Sequence, residues 1–276
     1  MRKFPTILIA AASFADAAHG ASERPPTTLA ASGRWEVEYR QATCRMARRF
    51  GSGETPLLFA LERDPISSSA ELTLVGSSDV VGKRTGRPVL ETGGKTFDAR
   101  VEATNVALAD TPSQRAVRFH VDRSVIEQLA LRTPVTIRLP GSSPIALDIG
   151  SAASVVRSFG RCEDQLLASW RIDRDALARI ATRPKIARNP GIWFDDRSYP
   201  RQALAKREQG PLTLLLDIDH DGKIADCRVV ASSQSVALDE GTCPIARAIA
   251  FTPAIDAAGR PTPSYYVLTV RWMLPG

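Results

Sequence analysis

The chain has 276 residues, 43% hydrophobic and 24% charged, which is an ordinary composition for a soluble globular protein and enough length for two domains. The formal net charge is +6, but residues 186–276 carry ten Lys or Arg and ten Asp or Glu, so the excess lies in residues 1–185. The sequence has no basic helix, no interleaving of aromatic with basic residues and no zinc-ligand spacing. These features argue against a nucleic-acid-binding protein.

The amino terminus has the pattern of a secretory signal peptide. Arg2 and Lys3 precede an apolar run over residues 4–15, which Asp16 ends, and Ala18-His19-Gly20 offers a small-x-small cleavage site. The run is shorter than the ~20 residues that a membrane span needs. We predict a signal peptide at residues 1–20, a linker at 21–33 and a periplasmic protein. An uncleaved segment that anchors the chain in the inner membrane, facing the periplasm, is the alternative.

Residues 34–170 predict a β-rich domain closed by a helix. Apolar and polar residues alternate with period two in several segments, and clusters of Gly, Pro and Ser separate them. The segments begin near Trp35, Leu57, Glu71, Ala116 and Val135. A short helix is expected within residues 122–131. From residue 155 the apolar residues recur every three or four positions up to Trp170, which predicts the closing helix.

The remaining chain predicts a linker at 171–190 and an α-β-β-α-β domain at 191–276. Pro200 suits the first turn of a helix, and the Asp221-Gly222 pair is a strong hairpin signal between two strands. A helical stripe follows from Leu238, and alternating apolar residues between Tyr266 and Leu274 predict a last strand. The whole chain is therefore predicted to be α+β, with a three-stranded antiparallel sheet in its second domain and the helices on one face of that sheet.

The four cysteines predict one disulfide in each domain. Cys44 and Cys162 lie within the first predicted folding unit, and Cys227 and Cys243 lie within the second. Any other pairing would join the two domains across the linker. Structural disulfides occur in oxidising compartments such as the bacterial periplasm, which agrees with export.

The candidates for catalysis or metal binding are weak. Asp217, Asp219 and Asp221 resemble the start of a calcium loop, but the twelfth position is Arg228 rather than Glu and strands flank the segment. His120 and His220 could serve a hydrolase, although no Gly-x-Ser-x-Gly elbow is present. We therefore predict no enzyme, no cofactor and no metal, and keep a hydrolase with an unrecognised site in the β-rich domain as a rival.

A cluster of arginines follows the first predicted strand, at Arg40, Arg45, Arg48 and Arg49. It could bind anionic lipid head groups, envelope phosphates or peptidoglycan carboxylates. It could equally be a solvated face, since Glu36, Glu38 and Glu54 are near in sequence.

Several motifs of the second domain occur in the order that is typical of one known family. They are Tyr199-Pro200, Gly210 before an apolar strand, Asp221-Gly222, Leu238-Asp239, Phe251-Thr252-Pro253-Ala254 and a final strand that ends at Leu274-Pro275. In this order they resemble the TonB C-terminal domain. The long Pro-rich spacer of TonB-type energy transducers is missing here.

The resemblance implies an interaction module whose last strand accepts an extended peptide by β-augmentation. Its implied partners are outer-membrane TonB-dependent receptors or other envelope proteins, in energy-coupled transport. The sequence leaves open whether the chain forms a homodimer. The implied peptide-binding positions are Tyr265, Val267, Thr269 and Arg271, on the strand face opposite the apolar one. The rival reading is a cell-envelope protein that binds peptidoglycan or lipid through the β-rich domain and uses the TonB-like domain as a scaffold.

Overall fold

The structure is a computed structural model, and it describes residues 25–99, 103–188 and 193–274. The predicted signal peptide at 1–20 and residues 21–24 of the predicted linker lie outside the described residues. Strands predominate, and helices are fewer and mostly short.

The N-terminal part is built from two sheets around one core. Its strands are β1 (Thr27–Ala30), β2 (Glu36–Tyr39), β3 (Cys44–Phe50), β4 (Leu57–Arg63), β5 (Ser69–Ser77), β6 (Val89–Thr92), β7 (Lys95–Asp98), β8 (Thr104–Ala107), β9 (Gln114–Asp122), β10 (Val135–Arg138) and β11 (Ile145–Asp148). Its helices are α1 (Ser78–Val81), α2 (Val125–Leu129) and α3 (Ala153–Ser169). One sheet has the order β2-β3-β4-β5-β9-β8 and the other β1-β11-β10-β6-β7.

Alternation of apolar and polar residues gives the six-stranded sheet a buried face and a polar outer face. Along β5 every second residue is buried, and along the second half of β9 Phe119 and Val121 are buried while Arg118 and His120 are exposed. The inner residues form one core with the five-stranded sheet, α2 and α3. A disulfide from Cys44 in β3 to Cys162 in α3, with Cα atoms 6.0 Å apart, ties the closing helix to the sheet.

The C-terminal part contains the predicted α-β-β-α-β order with additional short strands. Its elements are α4 (Arg174–Ala178), β12 (Ile180–Thr182), β13 (Lys185–Ile186), a 3-10 helix (Asp196–Ser198), α5 (Arg201–Ala205), β14 (Gly210–Ile218), β15 (Ile224–Ala231), α6 (Val236–Ala246), β16 (Phe251–Thr252), β17 (Ala254–Asp256), β18 (Pro261–Thr262) and β19 (Ser264–Trp272). The main sheet is antiparallel in the order β15-β14-β19, with α5 and α6 on one face. Its disulfide joins Cys227 in β15 to Cys243 in α6, and both disulfides have the predicted pairing.

The segment predicted as a linker, residues 171–190, is folded into the C-terminal part over most of its described length. Strand β12 pairs with β17, and β13 pairs with β16, so these residues extend the C-terminal domain. Below, the name connector refers only to residues 179–186, which contain β12 and β13.

The second face of the β15-β14-β19 sheet packs against the N-terminal part. Leu215, at the centre of that face, is fully buried in a cluster with Trp170, Ile172 and Leu177. Arg228 Nη1 donates a hydrogen bond of 3.1 Å to the Trp170 carbonyl oxygen across the same contact. The C-terminal sheet is therefore covered on both faces over its centre.

Candidate functional site

Strand β19 is anchored in the C-terminal core by alternate side chains. Leu268, Val270 and Trp272 are buried, because every second residue of a strand points to the same face. The Trp272 ring lies 5.0 Å from the Tyr199 ring, and its Nε1 donates a hydrogen bond of 2.9 Å to Thr242 Oγ1. These contacts hold the strand in one register while its other edge stays available.

The four positions implied by the resemblance lie together on the opposite face of β19, but in two different settings. Tyr265 and Val267 are half-buried and pack against the cluster that joins the two domains. Thr269 and Arg271 are exposed, and Thr269 Oγ1 lies 3.1 Å from Thr213 Oγ1 on the neighbouring strand. Only the Thr269–Arg271 end of this face is open.

Strand β19 lies at one edge of its three-stranded sheet. Within the described residues, β19 pairs with β14 on one side and with no strand on the other. Because an unpaired strand edge presents unused backbone N–H and C=O groups, it can accept another extended chain.

Two grooves lie beside β19, one at each half of the strand. The connector groove has a volume of about 630 Å³ and is lined by Tyr265, Tyr266 and Val267, by the connector and by the loop at residues 66–69. The outer-face groove has a volume of about 620 Å³ and lies between Thr269 and Arg271 and the polar outer face of the six-stranded sheet. Ser67 and Ser69 line both grooves, so the two grooves adjoin at this loop, and together they are called the interdomain cleft below.

In the connector groove, partial burial and neighbouring charges shift the pKa values of Arg183 and Tyr266. Burial lowers the pKa of the Arg183 guanidinium, and the nearby cation of Arg123 lowers it further. Burial also raises the pKa of the Tyr266 hydroxyl, and the Asp64 carboxylate adds to that effect. Arg183 is therefore a partly buried cation with the cations of Arg123 and Arg63 and the Asp64 carboxylate nearby.

Sequence reasoning did not single out the residues that form the far wall of the cleft, namely Arg183, Arg118 and the serines of the 66–69 loop. The sequence carries no local signal for them, since they come from segments about 80 to 200 residues before β19.

The aspartates of the hairpin serve the turn. The Asp219 carboxylate accepts backbone N–H bonds from Asp221 at 2.9 Å and from Lys223 at 2.8 Å. These bonds, that of Lys223 first, lower the pKa of Asp219. Asp217 lies 3.2 Å from Arg228, and the described residues contain no cluster of ligands suited to a metal ion.

The arginine cluster is largely engaged in internal contacts. Arg40 pairs with Glu38 at 2.8 Å and with Glu62 at 3.2 Å, and Arg45 pairs with Glu38. The Arg48 guanidinium lies over the Trp35 ring at 5.8 Å. These contacts favour a structural role for three of the four arginines.

The two histidines that the sequence offers to a hydrolase lie apart. His120 is on the outer face of the six-stranded sheet, opposite Glu71 in the ladder, and it lines the outer-face groove together with Ser67 and Ser69. His220 is exposed at the hairpin tip. His220 Nε2 lies 3.6 Å from Asp221 Oδ1. The structure does not bring them together.

In the described part of the chain, no helix has the length and apolar character that crossing a membrane requires. A search of the curated proteins finds no match to the chain. The model of one protein family, described as Gram-negative bacterial TonB protein C-terminal, matches residues 195–274, which comprise α5, β14, β15, α6 and β16 to β19. The family consists of non-enzymatic interaction and energy-transducing domains of the cell envelope. Residues 195–274 of this chain thus form a domain of the TonB C-terminal family.

Proposed function

We propose that this protein is a periplasmic interaction module and that the outer edge of β19 binds an extended segment of an outer-membrane receptor by strand addition. The observation that carries the proposal is that the outer edge of β19, which pairs with no strand of the described residues, lies beside the interdomain cleft. Strand addition uses backbone hydrogen bonds for affinity and side-chain pockets for selectivity. The chain offers both at one place.

The anchoring of β19 supports this use of its edge. Because Leu268, Val270 and Trp272 are fixed in the core, the backbone groups of the strand are held in position before a ligand arrives. A ligand strand then bears most of the ordering cost itself, and such preorganisation increases affinity. The Thr213–Thr269 contact adds a second constraint on the open face.

The direct test is a titration of the isotope-labelled full chain with peptides from the periplasmic plug ends of outer-membrane receptors of the same organism. We expect chemical-shift changes at Ser264–Trp272 and in the connector. The edge strand β7 of the N-terminal part serves as an internal control and should not respond. Absence of any change along β19 at millimolar peptide would refute the proposal.

Peptide backbone methylation distinguishes strand addition from other modes of binding. In a strand pair only alternate residues direct their N–H groups to the neighbour. We therefore expect N-methylation at every second position to abolish binding and N-methylation at the intervening positions to leave it nearly unchanged. Equal effects at all positions would contradict strand addition.

We also propose that the chain reaches the periplasm through its N-terminal signal and is cleaved near Gly20. Mass spectrometry of the protein recovered from the periplasm should give a chain that begins at about Ala21. Recovery of intact Met1 in a washed inner-membrane fraction would instead establish the anchored form, in which energy coupling through the membrane becomes the natural mechanism.

The same edge could pair with that of a second copy, which would give a homodimer and compete with receptor peptides. Light scattering of the purified chain over a range of concentrations tests this. A dimer that dissociates when peptide is added would show that the two partners share β19.

A further inference from the structure

We infer that the segment bound at β19 is acidic and that the N-terminal domain and the connector select it through Arg118, Arg183 and Arg271. This inference rests on the proposed strand addition and adds to it the chemistry of the ligand. It also assigns a role to the N-terminal domain, as one wall of the binding cleft.

The interdomain cleft follows β19 along most of its length. Tyr265 to Val267 line one half, and Thr269 and Arg271 line the other. The strand rises about 3.4 Å per residue, so the six steps from Tyr265 to Arg271 span roughly 20 Å. A segment of about seven extended residues fits this length. A chain that pairs with the β19 edge therefore has both domains beside it.

The lining of the cleft is strongly basic. It contains Arg or Lys at seven positions and Asp or Glu at three. The basic positions are Arg40, Arg45, Arg63, Arg118, Arg183, Lys185 and Arg271, and the acidic ones are Glu62, Asp64 and Glu71. The difference matters because a cleft with one dominant sign of charge concentrates ligands of the opposite sign.

The three carboxylates of the cleft already have internal partners. Asp64 Oδ1 accepts the backbone N–H groups of Ile66 and Ser67, each at 2.8 Å. Glu62 Oε1 accepts the Thr43 hydroxyl at 2.6 Å. Glu71 Oε1 accepts the Thr73 hydroxyl at 3.3 Å. They are thus less available to compete with a ligand.

The basic residues divide into engaged and unengaged groups. Arg63 forms a buried ion pair with Glu163, and Arg40 and Arg45 pair with glutamates. By contrast, no carboxylate of the described residues forms an ion pair with Arg118, Arg183, Lys185 or Arg271, although Asp64 lies near enough to Arg183 to affect its pKa. These four side chains lie at the two ends of the cleft, with Arg118 and Arg271 in the outer-face groove and Arg183 and Lys185 in the connector groove.

A carboxylate of the ligand would relieve an unfavourable arrangement at Arg183. This guanidinium is partly buried and lies near the cations of Arg123 and Arg63, which all lower its pKa, and the nearby Asp64 carboxylate offsets only part of this effect. A bound Asp or Glu side chain can accept two parallel N–H bonds from the guanidinium, which is the geometry that Arg provides and Lys does not. The Ser69 hydroxyl, which lines the same groove, adds a neutral donor, whereas the Ser67 hydroxyl already donates to Asp64 Oδ2.

The side-chain alternation of a strand sets the pattern that we expect in the ligand. Alternate residues of the added strand point towards the polar outer face of the six-stranded sheet, and the others point away from it. An acidic residue near each end, on the face directed at the N-terminal domain, would meet Arg183 at one end and Arg118 with Arg271 at the other.

The experiment uses the full chain and pairs of synthetic extended peptides of seven to nine residues. Each pair consists of a peptide with Glu near both ends and its analogue with Gln at the same positions. We expect the Glu peptide to bind roughly tenfold or more tightly than its analogue at low salt, as charge-assisted bonds would give. The difference should shrink as the salt concentration rises.

Three variants locate the selectivity: Arg183→Gln, Arg118→Gln with Arg271→Gln, and Arg157→Gln as the control. Arg157 is exposed on α3 and does not line the cleft. The first two should reduce the preference for the Glu peptide over the Gln peptide, and the control should change neither this preference nor the affinity for either peptide. Melting curves should verify that each variant is folded.

The outcomes separate this inference from the proposed function. If the Glu and Gln peptides bind β19 equally, the inference is wrong while strand addition stands. If neither peptide binds but the receptor segments do, the ligand is not selected by acidic residues and the inference is again wrong. If no peptide of any kind binds, strand addition itself fails. Retention of the chain on purified peptidoglycan that is lost in the arginine variants, without peptide binding, would overturn the inference in favour of an envelope glycan.

Discussion

Adjacent leucines of β14 should respond in opposite ways when the C-terminal domain is separated from the rest of the chain. Leu214 and Leu215 are both fully buried. Leu214 lies in the core between the sheet and its helices, whereas Leu215 lies in the cluster shared with the N-terminal part. The comparison therefore involves two side chains of the same type, one residue apart, whose burial has different causes.

In the full chain, Leu214→Ala and Leu215→Ala should each lower the local free energy of unfolding by about 2–5 kcal/mol, as truncation of a packed leucine does. In a fragment of residues 179–276, which keeps β12 and β13, Leu215 loses its cover and retains cross-strand neighbours such as Val267. Its truncation should then cost less than about 1 kcal/mol. Leu214→Ala should keep its full effect in the fragment.

Hydrogen exchange measured by mass spectrometry on peptides from β14 and β19 gives the local free energy in both settings. Denaturant unfolding of the fragment provides an independent value. The reasoning would be refuted if Leu215→Ala cost as much in the fragment as in the full chain. It would also be refuted if Leu215→Ala cost less than about 1 kcal/mol in the full chain while Leu214→Ala behaved as expected.

Four further changes test three other contacts. Trp272→Ala should lower the free energy of unfolding of the C-terminal domain by about 3–5 kcal/mol. Thr242→Val, which leaves the indole N–H without its acceptor, should lower it by about 1–3 kcal/mol. If the two variants unfold at the same denaturant concentration, the packing role of the ring is wrong. Reduction of the Cys227–Cys243 bond, compared in oxidised and reduced samples, should cost about 3 kcal/mol in the chain-entropy model for a sequence separation of 16, and no loss would contradict it. Because the pKa of Asp219 is lowered, its carboxylate stabilises the fold above the ordinary pKa of 3.8, and this contribution is lost as the pH falls below that value. The melting temperature in acid should therefore fall less steeply with pH for Asp219→Asn than for the unmodified chain. Identical slopes would contradict the role of Asp219 in the hairpin turn.

Much of the C-terminal domain follows from local sequence signals. The apolar alternation after Gly210, the Asp221-Gly222 turn and the helical stripe from Leu238 predict β14, β15 and α6, which the structure contains. Gly222, in that turn, shows the limit of prediction from local sequence. Gly222 has a φ of +81°, which the turn chemistry predicts, but a Cβ there would also lie 2.0 Å from the Phe251 carbonyl oxygen. That close approach comes from a segment about thirty residues later and has no local signal.

The predicted linker, which contains the connector, illustrates a different limit of prediction from sequence. Residues 171–190 are charged and interrupted by prolines, so they read as a linker. Strands of two or three residues have too few positions for a period to be recognised, and β12 and β13 acquire their partners from β17 and β16 about seventy residues away. One wall of the connector groove beside β19 is formed by these residues. For that reason the cleft could not be predicted even though the strand beside it could.

The sequence contains a further signal, for the second face of the β15-β14-β19 sheet, which is packed at its centre. Leu215 stands between Thr213 and Asp217 on that face, and Val267 lies opposite it on β19. An apolar centre flanked by polar residues is typical of a face that is covered in the middle and open at its ends. In the structure the centre packs against the N-terminal part, and the ends carry the Asp217–Arg228 pair and the open Thr269–Arg271 segment.

This division of β19 couples the docking of the two domains to the binding that we propose. One face of the strand is used in the core, the centre of the other face is used to hold the N-terminal domain, and the edge with its open end remains for a ligand. A ligand in the cleft would contact both domains at once, so it would bind the docked arrangement better than the separated one. By linkage, the docked arrangement would gain about RT ln(1 + [L]/Kd) of stability, which is ~2.7 kcal/mol at a ligand concentration 100 times Kd. The interface built around Leu215 is therefore both the structural support of the cleft and the element through which occupation of β19 would be transmitted to the N-terminal domain.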